Sequence, residues 1–224
     1  MSTALFDPIK TMSRVTDSVI VGFSGGKDSI VTLDLCMRYF EHVYPYFMHL
    51  VPSLGFQERT LEWYERRYGI EIMRIPHFEV SWMLRYGTFR DYNPNVPTIS
   101  VTDSYGWLRL RTGAVWIAAG ERASDSIIRN AMIKSTGSID RKRGRFYPIA
   151  YWKKAEVLGY IKRHKLKLPQ DSRGLGFSFR GLDGAQLKYI RETWPEDYER
   201  IERFFPFCGA SIQRFEMEHA RQEV

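Results

Sequence analysis

The consecutive residues Ser24, Gly25, Gly26, Lys27, Asp28 and Ser29 bring together hydroxyls, two bare glycines, a cation and a carboxylate. Residues of these types in this order suit one task, the cradling of phosphate. Gly25 and Gly26 carry no side chains, so backbone N–H groups can converge on an anion, and a helix starting here would add its positive end. Lys27 supplies a point charge, and Ser24 and Ser29 supply hydroxyl donors. Asp28 would repel bare phosphate, so its use is to hold Mg²⁺ that bridges the phosphate oxygens.

Two other patterns overlap these residues. A Walker loop requires Ser or Thr directly after its lysine, whereas Asp28 follows Lys27, so an ordinary P-loop NTPase is disfavoured. Gly22-Phe23-Ser24-Gly25-Gly26 satisfies the spacing of a hydrolase nucleophile elbow. That chemistry needs an acid and then a histidine downstream. Only His164 or His219 is well placed, and neither has a recognisable local context.

The elements around the loop must hold it at the end of a buried strand. Ser18 to Phe23 is an apolar run of strand length, and Ile30, Leu33, Met37 and Phe40 place an apolar stripe on a helix from about Ser29 to Glu41. Tyr46 to Val51 and Ile70 to Ile75 read as further strands, with a helical stripe of Leu61, Tyr64 and Tyr68 between them. This β-α-β-α-β order predicts an α/β fold with a mostly parallel sheet and helices on both faces. Such sheets bind ligands at the carboxyl ends of their strands. Further on, His77 to Tyr86 reads as a short helix, Asp91 to Pro97 as a loop, Ala114 to Ala119 as a strand and Phe146 to Ile149 as a short strand. Lys153 to His164 reads as a helix. Asp171 to Gly184, with Gly174, Gly176, Gly181 and Gly184, reads as a long functional loop, and Gln186 to Phe205 as helix interrupted at Pro195. The expected division is a nucleotide-binding α/β domain over 1–169 and a helical extension over 170–224.

The 224 residues, 44% hydrophobic and 26% charged, suffice for one sizeable core and exclude a disordered chain. No run approaches the roughly 20 apolar residues of a membrane span and the start lacks a signal-like run, so a cytoplasmic protein is expected. Cys36 and Cys208 are the only cysteines, which excludes a disulfide framework, a structural zinc site and a four-thiolate cluster made within this chain. The five histidines have no ligand-like spacing, so no histidine metal site is expected. A net charge of +7 points to polyanionic partners, nucleotide or nucleic acid. Its densest run, Arg141, Lys142, Arg143 and Arg145, lies in what reads as a mobile polar loop.

The string Ser-Gly-Gly-Lys-Asp-Ser after a strand resembles the signature of the PP-loop family, the ATP pyrophosphatases together with the phosphoadenylylsulfate (PAPS) reductases. Gly120-Glu121-Arg122 with Ser126 and Arg129 resembles the reductase branch's Gly-x-Arg segment followed by Ser and Arg. Phe146-Tyr147-Pro148-Ile149 with Trp152 resembles its P-I-x-x-W strand and helix. The resemblance covers roughly Val19 to Pro169. It implies the Rossmann-like fold of the adenine nucleotide alpha hydrolases, with ATP phosphates on Ser24 to Ser29, Gly120 lining the same site, and Arg122 and Arg129 joining Lys27 and Asp28 in catalysis. Read alone, the two arginines fit a surface helix pair as well.

Members of the family divide by chemistry. Reductases resemble one another in a C-terminal Glu-Cys-Gly-x-His segment, of which Phe207-Cys208-Gly209-Ala210 keeps only Cys-Gly. Its aromatic neighbours suggest a buried, inert thiol. The other branch cleaves ATP to AMP and pyrophosphate, adenylating a substrate that sulfur then attacks. That branch needs no protein nucleophile, and a persulfide on a separate cysteine desulfurase could deliver the sulfur. Relatives thiolate transfer RNA or help place phosphorothioate in DNA, so nucleic-acid sulfur modification is the specific expectation. Arg141, Lys142, Arg143, Arg145 and the segment Phe177 to Arg180 would then hold DNA or RNA. Two alternatives stand beside it, a PAPS reductase using Cys208 and a nucleotide-binding module without turnover. A homodimer is allowed and no membrane partner is expected.

Overall fold

The computed structural model of the chain describes residues 3–174, 179 and 181–220. In chain order these form α1 (Asp7–Met12), β1 (Ser18–Gly22), α2 (Lys27–Tyr39), β2 (His42–His49), α3 (Gly55–Tyr68), β3 (Met73–Pro76), α4 (Phe78–Tyr86) and α5 (Val101–Thr112). They continue with β4 (Ile117–Ala118), α6 (Ile127–Thr136), β5 (Ile139–Asp140), β6 (Arg145–Phe146), α7 (Lys154–Arg163), α8 (Gln170–Gly174), α9 (Gly184–Thr193), α10 (Pro195–Phe204) and α11 (Gly209–Ala220). The strands make one sheet in the order β3-β2-β1-β4-β6-β5. β1 is parallel to β2 and to β4, β4 is parallel to β6, and β5 is antiparallel to β6. This is the Rossmann-like α/β architecture expected of the sequence. Among the described residues no helix is long and apolar enough to cross a membrane.

The strand that leads to the glycine loop lies inside the sheet, between β2 and β4. Val19, Ile20 and Val21 of β1 are fully buried, and α2 is buried on nearly every face from Ser29 to Cys36. One buried charge pins α2 in place. Asp34 accepts from Tyr68 Oη at 2.5 Å, Tyr160 Oη at 2.6 Å and Arg38 Nε at 2.7 Å, which ties α2 to the end of α3 and to α7. Burial pushes the Asp34 carboxyl up, but the bonds from Arg38, Tyr160 and Tyr68 outweigh it and hold it below its ordinary value.

Several elements differ from their expected extent. α2 begins at Lys27, because Gly26 already takes the extended conformation of a cap, and the Asp91 to Pro97 loop is present as read. The strand expected over Ala114 to Ala119 contracts to Ile117–Ala118, since the carbonyl of exposed Val115 is bonded by Arg109 Nε at 2.9 Å instead of by a neighbouring strand. The basic segment expected to be a mobile loop is the tip of the β5–β6 hairpin. Gly144 turns it at a φ of 62°, and Arg109 Nη2 donates to the Arg143 carbonyl at 2.7 Å. The first part of the expected loop over Asp171 to Gly184 is helical, as α8.

The chain divides into two compact units, the first of residues 1–47, 64–74 and 105–168, the second of 48–63, 75–104 and 169–224. The sequence suggested a single boundary at 169/170. The second unit also takes in earlier residues because Val51, Leu54 and Phe56 share a core with Leu187, Ile190, Ile201 and Phe205.

Candidate active site

β1 delivers the chain into a turn in which Gly25 has a φ of 73°, a left-handed conformation that side chains with Cβ resist. Gly26 then caps α2. The Ser29 hydroxyl donates to the Gly26 carbonyl at 2.9 Å and accepts from the Ser24 N–H and from Ser24 Oγ, both at 3.2 Å. The two hydroxyls therefore staple the loop closed on itself, where the sequence suggested outward donors. Gly120, which follows β4, meets the loop from the side. A Cβ there would stand 3.0 Å from the Asp28 carbonyl carbon and 3.1 Å from the Ser29 nitrogen, so any larger residue would press on the loop backbone.

From this loop runs a chain of alternating charges. Lys27 Nζ lies 2.6 Å from Asp28 Oδ2, and Asp28 Oδ1 lies 2.8 Å from Arg122 Nε. Arg122 Nη2 is paired with Asp125 Oδ1, and Asp125 Oδ2 lies 3.1 Å from Arg129 Nη1. The structure thus brings together Lys27, Asp28, Arg122 and Arg129, the four residues singled out from the sequence. Arg122 is 4% exposed and is fixed further by the Trp152 carbonyl, which its Nη1 reaches at 3.2 Å, while Arg129 is half exposed. Buried cations held this firmly are preorganised for negative charge, and the partly exposed ends, Lys27 and Arg129, are free to meet a ligand.

Sequence reasoning did not find Asp125. It joins the two arginines and also accepts the Arg122 backbone N–H at 3.1 Å. Its signal was the spacing of Arg122, Asp125 and Arg129, three and four residues apart, which puts opposite charges on neighbouring turns. Ser126 is the cap of α6, its hydroxyl accepting the Arg129 N–H at 3.2 Å.

The donor set suits a hard cation carried by phosphates. Asp28 Oδ1 is occupied by buried Arg122, but among the described residues Oδ2 is held only by Lys27, whose flexible stem can turn to an incoming anion and leave that oxygen facing it. Asp28 is therefore the residue that would hold Mg²⁺.

The basic run separates into two parts. Arg145 is not a surface cation. It pairs with Glu121 at 2.8 Å and lies between the rings of Tyr105 and Tyr147, at 5.4 and 5.5 Å from their centroids. Arg141, Lys142 and Arg143 are exposed at the hairpin tip, Arg143 lying 3.6 Å from Asp140. Of the glycine-rich segment, Phe177, Ser178 and Arg180 lie outside the described residues. Phe179 is core, 5.7 Å edge-to-face from Phe56, with its N–H on Asp171 at 2.9 Å. Cys208 is fully buried in the cluster of Leu187, Ile201 and Phe205, and burial pushes its thiol up.

A family profile described as the phosphoadenosine phosphosulfate reductase domain matches residues 18–170, from the start of β1 to the start of α8. The chain belongs to this family. Among solved structures, the NH3-dependent NAD synthetase from Campylobacter jejuni in complex with nitrate is similar at a TM-score of 0.52 and 16% identity, over 94% of this chain and 91% of that one. That likeness is one of fold. The U34-tRNA thiolase NcsA from Methanococcus maripaludis follows at 0.47 and 15%, over 90% and 78%, and the PAPS reductase from Candida auris in its phosphate complex at 0.49 and 14%, over 81% and 95%. No curated protein matches the chain in sequence. Family membership makes this chain an enzyme-type PP-loop protein of the adenine-nucleotide class.

Proposed function

We propose that the protein binds ATP on Ser24 to Ser29 and cleaves it to AMP and pyrophosphate, adenylating a substrate that then receives sulfur. The observation that supports this is the charge chain from Lys27 through Asp28, Arg122 and Asp125 to Arg129, aligned on the glycine loop. An acceptor oxygen attacks the α-phosphorus, the bond to the bridging oxygen of pyrophosphate breaks, and a sulfur nucleophile later displaces AMP from the adenylated acceptor. Lys27 and the amino end of α2 receive the phosphates, Arg122 stabilises charge as it builds, and Arg129 meets the leaving group or the acceptor. Mg²⁺, when held by the phosphates and Asp28, supplies further neutralisation of the leaving pyrophosphate. The acceptor we favour is nucleic acid, DNA or RNA, on the strength of Arg141, Lys142 and Arg143 beside an overall charge of +7. Sulfur would come from a separate persulfide donor of the cysteine desulfurase kind, an external thiol then cleaving the S–S bond that joins donor and acceptor.

The reductase reading requires a thiolate at Cys208. A fully buried thiol among apolar side chains, pushed away from ionisation, opposes it. Incubation with Mg²⁺ and α-labelled ATP, resolving AMP from ADP, tests the proposal. AMP formation lost in Lys27→Ala is the expected result. ADP formation, or no cleavage alongside tight binding of PAPS, overturns it and returns attention to Cys208.

A further inference from the structure

The first turn of α6 carries two large apolar side chains that serve no core. Ile127 is 89% and Ile128 is 82% exposed, while the inner face of the same helix packs through Ile133 and Met132 against Tyr147 and Ala150. The exposed face continues through Ala131, Lys134 and Ser135 to Thr136. Thr136 lines a cleft of about 530 Å³ whose other walls are Ile139, Asp140, Arg141, Lys142 and Arg143. Among the described residues the side chains of Arg141 and Lys142 have no hydrogen bond or ion pair, and Asp140 already accepts the Arg143 N–H at 3.1 Å. The cleft is therefore net cationic. At the opposite end of α6 stands Arg129, the last cation of the catalytic charge chain.

We infer that the outer face of α6 and the hairpin cleft form a track for single-stranded nucleic acid, reaching from the reacting group to a distal phosphate site. The inference rests on the proposed nucleotide chemistry and names the part of the acceptor this chain grips. The order of the chemistry along the helix supports it: aliphatic surface for an unstacked base or ribose beside Arg129, then Lys134, then three cations for phosphates. Exposed isoleucines suit a strand whose bases are splayed outward, which a duplex does not offer. The length agrees as well. The ten residues of α6 span about 15 Å, a length that about four stacked nucleotides at about 3.4 Å each would cover and that fewer cover once the bases are splayed. The track therefore holds the strand by the nucleotides flanking the modified one.

The test is a salt titration of fluorescent single strands, one octanucleotide and one dinucleotide, as DNA and as RNA, with ATP cleavage by the unmutated protein measured in parallel. Expected is tighter binding of the octanucleotide. Replacing Arg141, Lys142 and Arg143 together by Ala should weaken the octanucleotide at least about tenfold and flatten its salt slope by about 2, at about 0.7 per lost contact, with the dinucleotide little changed. Ile127→Asn with Ile128→Asn should weaken both strands and leave the slope alone. All five positions are exposed, so unchanged melting temperatures are expected, and crosslinking of a thiopyrimidine strand to α6 peptides gives a second reading in the unmutated protein. Several results overturn the track: octanucleotide binding indifferent to both variants, tighter binding of duplex, or self-association of the protein abolished by the isoleucine substitutions. ATP cleavage to AMP without strand binding removes the track and leaves the nucleotide chemistry standing. Strand binding along this face without AMP formation does the reverse.

Discussion

Asp28 and Asp34 lie less than two turns apart on α2, yet they do opposite work. Asp28 keeps a side chain 21% exposed and bridges two cations, Lys27 and Arg122, one of which faces outward. Asp34 is 1% exposed and is closed over by two tyrosines and Arg38. The same kind of side chain thus bridges cations at the rim and locks helices together one step deeper. What differs is whether the partners can let go. A lysine on a flexible stem can exchange an aspartate for a phosphate, whereas tyrosines whose rings are held by their own helices cannot.

This contrast is open to attack from both ends. Lys27→Ala should reduce AMP formation by at least about a hundredfold, the scale of losing one preorganised charge in a transition state, while the melting temperature stays where it was. A collapsed thermal transition would put Lys27 in the same structural class as Asp34. Asp34→Asn should do the converse, costing about 2–3 kcal/mol of stability by denaturant titration and leaving the rate per folded molecule unchanged. Its stability difference has a defined pH dependence. The folded carboxyl is held below its ordinary value, so its contribution is fully present above about pH 4 and is lost as pH falls through the lower folded value. The gap between wild type and Asp34→Asn should therefore close in acid, and a constant gap would mean that packing, not charge, is what Asn loses.

Smaller effects sharpen the boundary between the site and its support. Gly120→Ala should raise the ATP concentration for half-maximal rate by about tenfold, since the new Cβ pushes on the backbone of Asp28 and Ser29. Cys208→Ser should leave AMP formation within about twofold of wild type and cost about 1 kcal/mol for a hydroxyl in an apolar cluster. Loss of activity without loss of stability in that variant would contradict the assignment of Cys208 to the core.

The glycine turn was legible because its geometry is local: six neighbouring residues, a strand before and a helix after. Arg122 and Arg129 could be named only through the family resemblance, and Asp125 between them looked like any polar residue of a loop. Arg145 shows where the sequence runs out. Within a basic run it is indistinguishable from Arg143, yet Glu121, Tyr105 and Tyr147 arrive from distant segments and take it out of solvent. Helix α5 was equally silent. Leu108 is its sole buried residue among those described, so no apolar stripe marks it. The second unit's core was unreadable for a similar reason, since Val51 and Phe56 meet Ile201 and Phe205 across more than a hundred residues of chain.

The all-round burial of α2 also bears on how such a protein changes. A helix buried on nearly every face from Ser29 to Cys36 leaves few substitutions that do not disturb the glycine loop it carries. On the proposed reading, new acceptors are then acquired on the outer side of α6 and the β5–β6 hairpin, where Ile127, Ile128, Arg141 and Lys142 are exposed. A library confined to those positions is the place to seek altered specificity, with the nucleotide half of the reaction inherited unchanged.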